Sequence, residues 1–448
     1  MEGKRRAALS RVELVAGTVT LDHPRTFVGF GFGPIQAGLF LSEALATGRF
    51  GRLVVAEVMS DLVAAIRRSG GQFCVNVAHP DRVEVVTVGP VEIVDVASDI
   101  DRRLLVTAIS TADEIATALP SVQYYASDGP GSVHRLLAAG LRDKARQAGP
   151  PAVVYTAENN NHAAETLEQL VLEEVPRAER AAVAARVRFL NTVIGKMSQV
   201  VSDPQEIRDY SVVPLSSELP RAVLVEAFNR ILVSKISFAG EFTPAITVFE
   251  EKEDLLPFEE AKLYGHNASH ALAGYLGALA GIDRVSDLGS VPGLVPLVRA
   301  AFIEESGEAL IKKHNGVDPL FTRVGYGRYV DDLIARMMNP LLRDTTERVT
   351  RDTVRKLGWN DRLIGTMRLA LAEGVQPRRF ALGAAAALAV LHPSLLDSDG
   401  SVEEILGSIW EVPVGNQGAV VNDVEAGLRA LRAWRDTNFR DPQKLEYS

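Results

Sequence analysis

The chain has 448 residues, more than one hydrophobic core usually holds, so its length predicts two domains. Hydrophobic residues make up 47% and charged residues 23% of the sequence, which is typical of a globular protein and excludes a disordered or fibrous one. The formal net charge of -9 argues against a nucleic-acid partner, because such a partner requires a basic face.

Cysteine content and the length of apolar runs exclude further classes of protein. The single cysteine, Cys74, excludes an internal disulfide and a clustered-thiolate zinc site. The first residues are basic and contain no apolar run of the length that a secretion signal needs. The most apolar later run, 380–391, is shorter than the roughly 20 residues that cross a bilayer. We expect a cytoplasmic protein with no membrane partner.

The first half of the chain alternates predicted strands and helices. Residues 26–33, TFVGFGFG, predict a strand that runs into a glycine turn, and the residues after it have helical spacing. Next come a strand GRLVVAEV, a helix SDLVAAIRRSGG and a strand QFCVNVAH, followed by strand candidates VEIVDV, SVQYYAS and AVVYTAEN between further helices. This alternation predicts a Rossmann-type domain, a doubly wound sheet with helices on both faces.

The character of the sequence changes at about residue 254. Before it, RAVLVEAFNRILVSK and PAITVFE are strand candidates that belong with the same sheet by composition. After it, the sequence consists almost entirely of amphipathic helix candidates, such as AKLYGHNASHALAGYLGALAG, TERVTRDTVRKLG and VEAGLRALRAWRDTNF. We therefore predict an α/β protein with a Rossmann-type domain over residues 1–253 and a mostly α-helical domain over residues 254–448.

The turn after the first strand of this domain is a candidate cofactor site. It keeps two glycines of the dinucleotide fingerprint GxGxxG and has Gln36 at the position of the third. The acid at the end of the next strand would accept hydrogen bonds from the adenosine ribose and repel a 2′-phosphate, which favours NAD over NADP. The structural alternatives are a glycine turn without a ligand and a solvated strand end. The predicted cofactor-binding residues are Gly31, Phe32, Gly33, Ile35, Gln36 and Glu57.

A second motif, KLYGHNASH, begins at Lys262 and includes Asn267 and His270. A lysine serves as a general base when burial lowers its pKa from about 10.4 toward neutrality. An amide donor stabilises a developing alkoxide, and a histidine orients substrate hydroxyls. The structural alternative is a solvated lysine, a capping asparagine and a packed histidine at the start of a helix.

This motif and its surroundings resemble the long-chain polyol-specific dehydrogenases, the family of the mannitol and mannitol-1-phosphate dehydrogenases and related sugar-acid reductases. KxxxxNxxH is the catalytic signature of that family, and the similarity continues through ALAGYLGALAG and RMMNPLLRDTTERVTRDTVRKL. The resemblance implies that Lys262 is the general acid/base and that His270 positions the substrate. It also implies an oxyanion hole formed by Asn267 and by Asn159, which follows Glu158 at the end of a strand.

The resemblance also suggests which residues face the substrate. It places Arg336 and Asn339, in the segment RMMNP, on the substrate side, while the alternative for Arg336 is a surface salt bridge. Family members usually carry an Asp-Arg pair where this chain has Gly195 and Lys196, so Lys196 keeps a positive charge and the acid is absent.

Three arginines, Arg348, Arg351 and Arg355, stand at helical spacing and could meet a substrate phosphate. Acids four residues before basic ones offer the alternative of ion pairs along a solvated helix. The candidate pairs are Asp344 with Arg348, Glu347 with Arg351 and Asp352 with Lys356.

Together, the residues and the resemblance imply an NAD-dependent, metal-independent oxidoreductase. It would interconvert a linear polyol, or its phosphate, and the corresponding ketose, with mannitol 1-phosphate and fructose 6-phosphate as the first pair to test. One alternative is a sugar-acid dehydrogenase of the mannonate or altronate type, in which Lys196 or Arg336 would face the substrate carboxylate. The other is a non-catalytic NAD-binding sensor, although a retired site has no physical reason to retain every residue of the signature. The sequence leaves the oligomeric state open.

Overall fold

The computed structural model describes residues 9–13, 24–397, 400–410 and 417–445, with side chains described from residue 24 onward. The chain divides into two compact units, Met1–Leu255 and Leu256–Ser448. The basic N-terminal segment, where we expect no secretion signal, lies largely outside the described residues. No helix within these ranges is long and apolar enough to span a membrane.

The first unit contains two β-sheets and the helices around them. Its strands are β1 (Leu9–Glu13), β2 (Arg25–Phe30), β3 (Phe50–Glu57), β4 (Phe73–Ala78), β5 (Val83–Val88), β6 (Glu92–Asp95), β7 (Glu114–Thr117), β8 (Ala152–Thr156), β9 (Val187–Ile194), β10 (Ser198–Val201), β11 (Ala222–Glu226), β12 (Ile231–Ser234) and β13 (Phe249–Lys252). Its helices are a π-helical segment (Gln36–Leu41) that continues as α1 (Ser42–Ala46), then α2 (Ser60–Arg68), α3 (Asp99–Thr111), α4 (Val133–Arg146), α5 (Ala163–Glu174), α6 (Arg180–Ala184) and α7 (Pro204–Tyr210).

The larger sheet has the strand order of a dinucleotide-binding fold. Strands β6-β3-β2-β7-β8-β9 are parallel neighbours, which is the doubly wound order 3-2-1-4-5-6 when they are counted along the chain. Strand β12 continues this sheet antiparallel to β9, and β13 pairs with β12. The order reverses at β2 and β7, and ligands of such sheets bind outside the carboxyl ends of the strands at that point. The predicted fold class is confirmed.

The two faces of the larger sheet are buried in separate cores because successive side chains of a strand point to opposite sides. Phe27 lies in a core shared with Phe40 and Phe50 and with residues of the smaller sheet such as Val75. Its neighbour Val28 lies in a second core with helices α3, α4 and α5. Strand β2, which leads into the glycine turn, is thus fixed from both faces.

Two strand predictions for this unit are corrected by the structure. The sequence predicts a single sheet for the run RAVLVEAFNRILVSK, but β11 pairs with β4 in a second sheet of order β1-β5-β4-β11-β10, whereas β12 pairs with β9. The segment SVQYYAS is wrong as a strand because residues Val122–Tyr125 form a 3₁₀ turn. Its β propensity is overridden by tertiary contacts, since the Tyr125 side chain is buried and its hydroxyl donates to Glu158.

The second unit is helical, as the sequence predicts. Its helices are α8 (Leu256–Glu260), a π-helical segment (Ala261–Asn267), α9 (Ala268–Leu279), α10 (Leu294–Ala300), a π-helical segment (Ala301–Gly307), α11 (Glu308–Lys313), α12 (Arg323–Met337), α13 (Thr346–Thr350), α14 (Thr353–Lys356), α15 (Ile364–Ala372), α16 (Arg378–Leu391), α17 (Val402–Ile409) and α18 (Gln417–Arg435). Short 3₁₀ turns occupy Val285–Ser290, Pro319–Phe321, Pro340–Leu342, Pro393–Leu396 and Pro442–Leu445. Helix α16 is buried from Phe380 to Ala389 and packs against α9 and α18 at the centre of the unit.

The predicted helix TERVTRDTVRKLG is interrupted in the structure. Asp352 adopts a left-handed conformation with φ 56°, which separates α13 from α14. Lys356 is buried and donates to the carbonyl oxygens of Val349 and Arg351. The break between the helices thus provides hydrogen-bond acceptors for a lysine that a continuous helix would leave on its surface. The i,i+4 pattern of charges did not reveal this break.

Candidate active site and cofactor site

The glycine turn lies at the carboxyl end of β2, where the strand order reverses. Gly31 has φ +84°, and a Cβ there would lie 3.0 Å from the carbonyl oxygen of Ala118, so only glycine fits without strain. A Cβ at Gly33 would meet no atom within 4 Å, so the space beside this backbone is open. The first turn of the following helix presents N–H groups that lack intrahelical acceptors. The turn therefore fits a dinucleotide pyrophosphate.

The side chains around this turn face the protein interior. Phe32 is 1% exposed and packs edge-on against Phe73, with ring centroids 4.8 Å apart. Ile35 packs against the same core. A cofactor would therefore meet the backbone of these two residues more than their side chains.

Gln36, at the position of the third fingerprint glycine, is accommodated by a second glycine on the sheet. Its side chain is fully buried, and a Cβ at Gly29 would lie 2.2 Å from the Gln36 amide nitrogen. Close packing of this helix is provided instead by Gly38, where a Cβ would lie 2.6 Å from a methyl group of Val225. The departure from the fingerprint is thus a rearranged contact between helix and strand that leaves the turn intact.

The buried amide of Gln36 gives a testable consequence. Its Oε1 and Nε2 have no hydrogen-bond partner among the described residues. We expect Gln36→Met, which keeps length and volume, to raise the free energy of unfolding by about 1–2 kcal/mol, because an unpaired buried polar group costs about that much. Urea denaturation measures the change. The control Gln123→Met, at an exposed glutamine, should stay within about 0.5 kcal/mol of the parent chain. A destabilised Gln36→Met variant would contradict the assignment of a costly unpaired amide.

Glu57 ends β3 beside the glycine turn. Its Oε1 accepts hydrogen bonds from the backbone N–H groups of Val58, at 2.7 Å, and Met59, at 3.0 Å. Glu57 is 7% exposed, which contradicts the alternative of a solvated strand end. The carboxylate is therefore held in a fixed orientation at the carboxyl edge of the sheet, where a ribose-binding acid is needed.

The turn that carries Asn159 follows β8 and is anchored by Glu158. The buried Glu158 carboxylate accepts hydrogen bonds from Thr117 Oγ1 at 2.9 Å, from Leu119 N at 2.8 Å and from the Tyr125 hydroxyl. Burial raises the pKa of Glu158, and these donors act in the opposite direction. Asn159 is exposed at the edge of the unit. Glu158 therefore joins the ends of β7 and β8 and fixes the backbone that presents Asn159.

Lys196 lies just after β9 and is 7% exposed. Its ammonium donates to the carbonyl oxygen of Phe228 at 3.0 Å and to Asn229 Oδ1, and Asn229 donates in turn to Glu43. Burial raises the pKa of Glu43, and the charge of Lys196 opposes that rise. Glu43 is thus linked to Lys196 through the amide of Asn229.

The lysine motif of the second unit lies in a π-helical segment, Ala261–Asn267, between α8 and α9. In a π-helix the backbone hydrogen bonds join residues five apart, whereas an α-helix aligns residues three or four apart. Lys262 and Asn267 are five residues apart, which is the spacing of the backbone hydrogen bonds in this π-helical segment. Asn267 and His270 are three apart and enter α9. The KxxxxNxxH spacing is therefore matched to a local change in helix type.

The environment of Lys262 destabilises its ammonium form. Its pKa is lowered to about 8, because burial penalises the ammonium and the guanidinium of Arg362 repels it, against the attraction of Glu259. His266 is 5% exposed, and burial together with nearby cations holds its pKa well below the ordinary value. His266 is therefore neutral, and its ring packs on that of His270 at a centroid distance of 6.2 Å.

His270 is oriented by Asp344, which the sequence analysis considered only as a partner of Arg348. The Nε2 atom of His270 lies 2.7 Å from Asp344 Oδ2, and the other carboxylate oxygen accepts from Arg348 Nε at 2.8 Å and Nη2 at 2.7 Å. Burial alone would raise the pKa of Asp344, but its interactions with His270 and Arg348 hold it at about 2. An ionised carboxylate only accepts, so Nε2 carries the proton and Nδ1 of a neutral His270 is left as an acceptor.

The remaining substrate-side candidates are tied to nearby groups. Arg336 Nη1 pairs with Asp332 at 3.2 Å, and Asn339 Oδ1 accepts from Leu341 N at 2.9 Å to cap a 3₁₀ turn. Of the three predicted ion pairs along 344–356, the described residues form only that of Asp344 with Arg348. Arg355 pairs with Asp361 at 2.9 Å. The arginines of this segment are thus engaged by carboxylates, with the exception of Arg351, for which no ion pair is formed within the described ranges.

Sequence reasoning missed Asp344 and Arg362 as parts of this site. Asp344 lies 74 positions from His270, and no local spacing connects the two. Arg362 stands in NDRLIG, which has the composition of an ordinary helix start. The only available signal was that each is a charged residue flanking an apolar run, which is too common to identify a site.

A doubly wound sheet with an open glycine turn, together with a helical unit that contains a lysine of lowered pKa, is the arrangement expected of a two-domain dehydrogenase. Two family models match in turn: the mannitol dehydrogenase Rossmann domain over residues 25–246 and the mannitol dehydrogenase C-terminal domain over residues 254–425. The chain belongs to the mannitol dehydrogenase family, and the resemblance inferred from its motifs is confirmed.

Individual relatives extend over most of the chain. A mannitol-1-phosphate 5-dehydrogenase of Bacillus licheniformis is 30% identical over 363 residues, which covers 80% of this chain and 86% of that protein. A mannitol-1-phosphate 5-dehydrogenase of Brevibacillus brevis is 30% identical over 423 residues, covering 91% and 98%. Among solved structures, a mannitol 2-dehydrogenase of Pseudomonas fluorescens, in a ternary complex with NAD and D-mannitol, has the same fold with a TM-score of 0.68, 18% identity and coverage of 98% and 96%.

Proposed function

We propose that this chain is an NAD-dependent, metal-independent dehydrogenase that interconverts mannitol 1-phosphate and fructose 6-phosphate, with Lys262 as general acid/base. The observation that carries the proposal is Lys262 in the same π-helical segment as Asn267, with its pKa lowered to about 8. Two relatives named mannitol-1-phosphate 5-dehydrogenase support the choice of substrate. The first unit is the cofactor-binding domain, and the second provides the acid/base.

The cofactor would be held by the backbone of the glycine turn and by Glu57. The pyrophosphate fits beside Gly33, where a Cβ would meet nothing, and the ribose hydroxyls fit the fixed carboxylate of Glu57. That carboxylate would repel a 2′-phosphate, which favours NAD over NADP. When bound, the oxidised cofactor would supply the hydride acceptor for polyol oxidation, and NADH would supply the hydride for ketose reduction.

The residues of the second unit would handle the proton and the oxygen. In the oxidation direction, neutral Lys262 takes the proton of the reacting hydroxyl, and in reduction the ammonium returns it. The amide of Asn267 donates to the oxygen as negative charge develops, and Asn159 of the first unit is proposed as the second amide donor. His270 accepts from a substrate hydroxyl through Nδ1, while Arg336, Asn339 and Lys196 remain the proposed polyol contacts. An ammonium and two amide donors stabilise an alkoxide without a Lewis acid.

The test is the oxidation of NADH at neutral pH with fructose 6-phosphate, fructose and fructuronate offered separately. We expect turnover with fructose 6-phosphate at a kcat/KM well above that with fructose. Turnover confined to fructuronate would replace the proposed substrate by a sugar acid. No turnover with any of the three substrates, while NADH still binds, would contradict the enzymatic proposal and favour a non-catalytic NAD-binding sensor. NADPH is the matched cofactor control, and equal rates with it would overturn the role of Glu57.

A further inference from the structure

Arg362 is a cation of the second unit whose guanidinium has donors left to pair, as judged from the residues that the structure describes. It stands just before α15, its side chain is 18% exposed, and its Nε donates to Asp361 Oδ1 at 2.9 Å. In the described part of the chain, no group accepts a hydrogen bond from its Nη1 or Nη2. Arginine carries five donors in a planar fork, so a mostly covered guanidinium with two unused nitrogens is unusual.

The segment that carries Arg362 is packed directly on the lysine motif. Thr366 Oγ1 lies 3.1 Å from the carbonyl oxygen of Tyr264, two residues after Lys262, and also bonds to the carbonyl oxygen of Arg362. A Cβ at Gly365 would lie 2.5 Å from the ring of Tyr264. Only glycine permits this approach, so the position of Arg362 beside the motif is fixed by packing.

The charges around Arg362 are arranged to receive an anion. Arg362 lies close enough to Lys262 and His266 to lower the pKa of both, while Glu259 acts on Lys262 in the opposite direction. Its neighbouring acid, Asp361, is shared with Arg355, and Asp344 is occupied by His270 and Arg348. Two adjacent cations repel each other, and an anionic group of the substrate would relieve that repulsion while filling the open fork.

We propose that Arg362 binds the anionic end group of the substrate, the phosphate of a sugar phosphate, through its Nη1 and Nη2 atoms. This inference rests on the proposed function and deepens it, because it names the residue that distinguishes a phosphorylated ketose from a free one. Arg348 and Arg355, which their helical spacing suggests for this role, form ion pairs with carboxylates. A carboxylate end group has the same chemistry, and the substrates of the test separate the two.

The experiment compares the parent chain with Arg362→Gln and Arg362→Lys on fructose 6-phosphate, fructose and fructuronate. Loss of a charge-assisted pair is expected to raise KM for the phosphorylated ketose by about 10- to 100-fold. At pH 7, below the pKa of Lys262, the KM for fructose should change much less than that for the phosphorylated ketose, since fructose has no anion to lose. The KM of Arg362→Lys for the phosphorylated ketose should lie between those of the parent chain and Arg362→Gln. An ammonium keeps the positive charge but lacks the planar pair of donors. Arg299→Gln removes a surface arginine paired with Asp331 and should leave all rates unchanged.

Competition by inorganic phosphate separates a binding role from a structural one. We expect phosphate to compete with the ketose substrate in the parent chain, with an inhibition constant at least about tenfold weaker in Arg362→Gln. An equal loss on charged and uncharged substrates would overturn the proposal and leave Arg362 as a neighbour that tunes Lys262. A loss confined to fructuronate would support the same anion site with a carboxylate occupant. If the parent chain fails on fructose 6-phosphate yet turns over fructose, the proposed substrate fails, and phosphate inhibition of fructose turnover still tests Arg362.

Discussion

Lys262→Ala is expected to lower kcat by about 10²- to 10⁴-fold, the contribution that a positioned general acid/base makes to proton transfer. NADH binding should be retained, because the glycine turn and Glu57 belong to the first unit and Lys262 to the second. Stopped-flow turnover with fructose 6-phosphate and NADH fluorescence titration measure the two quantities. Lys312→Ala is the matched control, since this exposed lysine of the same unit bonds only to the carbonyl oxygen of Glu373. Near-normal turnover of the Lys262 variant would exclude it as the base.

The pKa of Lys262 also fixes the sign of the pH dependence in the parent chain. The neutral amine is the base for polyol oxidation, so that rate should rise as pH increases through about 8. The ammonium is the acid for ketose reduction, so that rate should fall over the same range. Removal of the repelling cation by Arg362→Gln should move both profiles to higher pH. A profile that is flat between pH 7 and 9 in both directions would contradict the assignment.

Asp344→Asn is expected to lower kcat/KM by about 10²-fold, the size of effect that misplacement of a positioned group produces. Asp344 accepts from both His270 and Arg348 and is ionised, with a pKa of about 2. An asparagine amide can donate as well as accept, so Nε2 of His270 no longer has to carry the proton. The proton can then sit on Nδ1, which would no longer accept a hydrogen bond from the substrate.

Two comparisons keep this prediction specific. Asp331→Asn removes an exposed carboxylate paired with Arg299 and should leave kcat/KM unchanged. Asp344→Glu keeps the charge and should recover part of the loss, whereas a purely structural role would lower the thermal midpoint of both variants without that recovery. If Asp344→Asn kept full activity, the proposed orientation of His270 would be wrong.

The local patterns of the sequence predicted much of this architecture. The glycine turn after a buried strand, the acid that ends the next strand and the change to helical periodicity near residue 254 are each encoded within a few consecutive residues. Such features can be predicted from the sequence because backbone geometry at Gly31 and burial along β2 depend on the residues themselves and their immediate neighbours. The lysine motif likewise carries its chemistry in nine residues.

Only the tertiary structure decided how distant groups combine. The assignment of β11 and β12 to different sheets, the turn at Val122–Tyr125 and the break at Asp352 depend on contacts with remote partners, such as Glu158 for Tyr125. The same holds at the candidate site, where Asp344 reaches His270 and Arg362 lies beside the motif of Lys262 through packing on Tyr264. Local periodicity reports which face a residue occupies, whereas hydrogen bonding and pKa shifts are set by neighbours that the folded chain brings from far along the sequence.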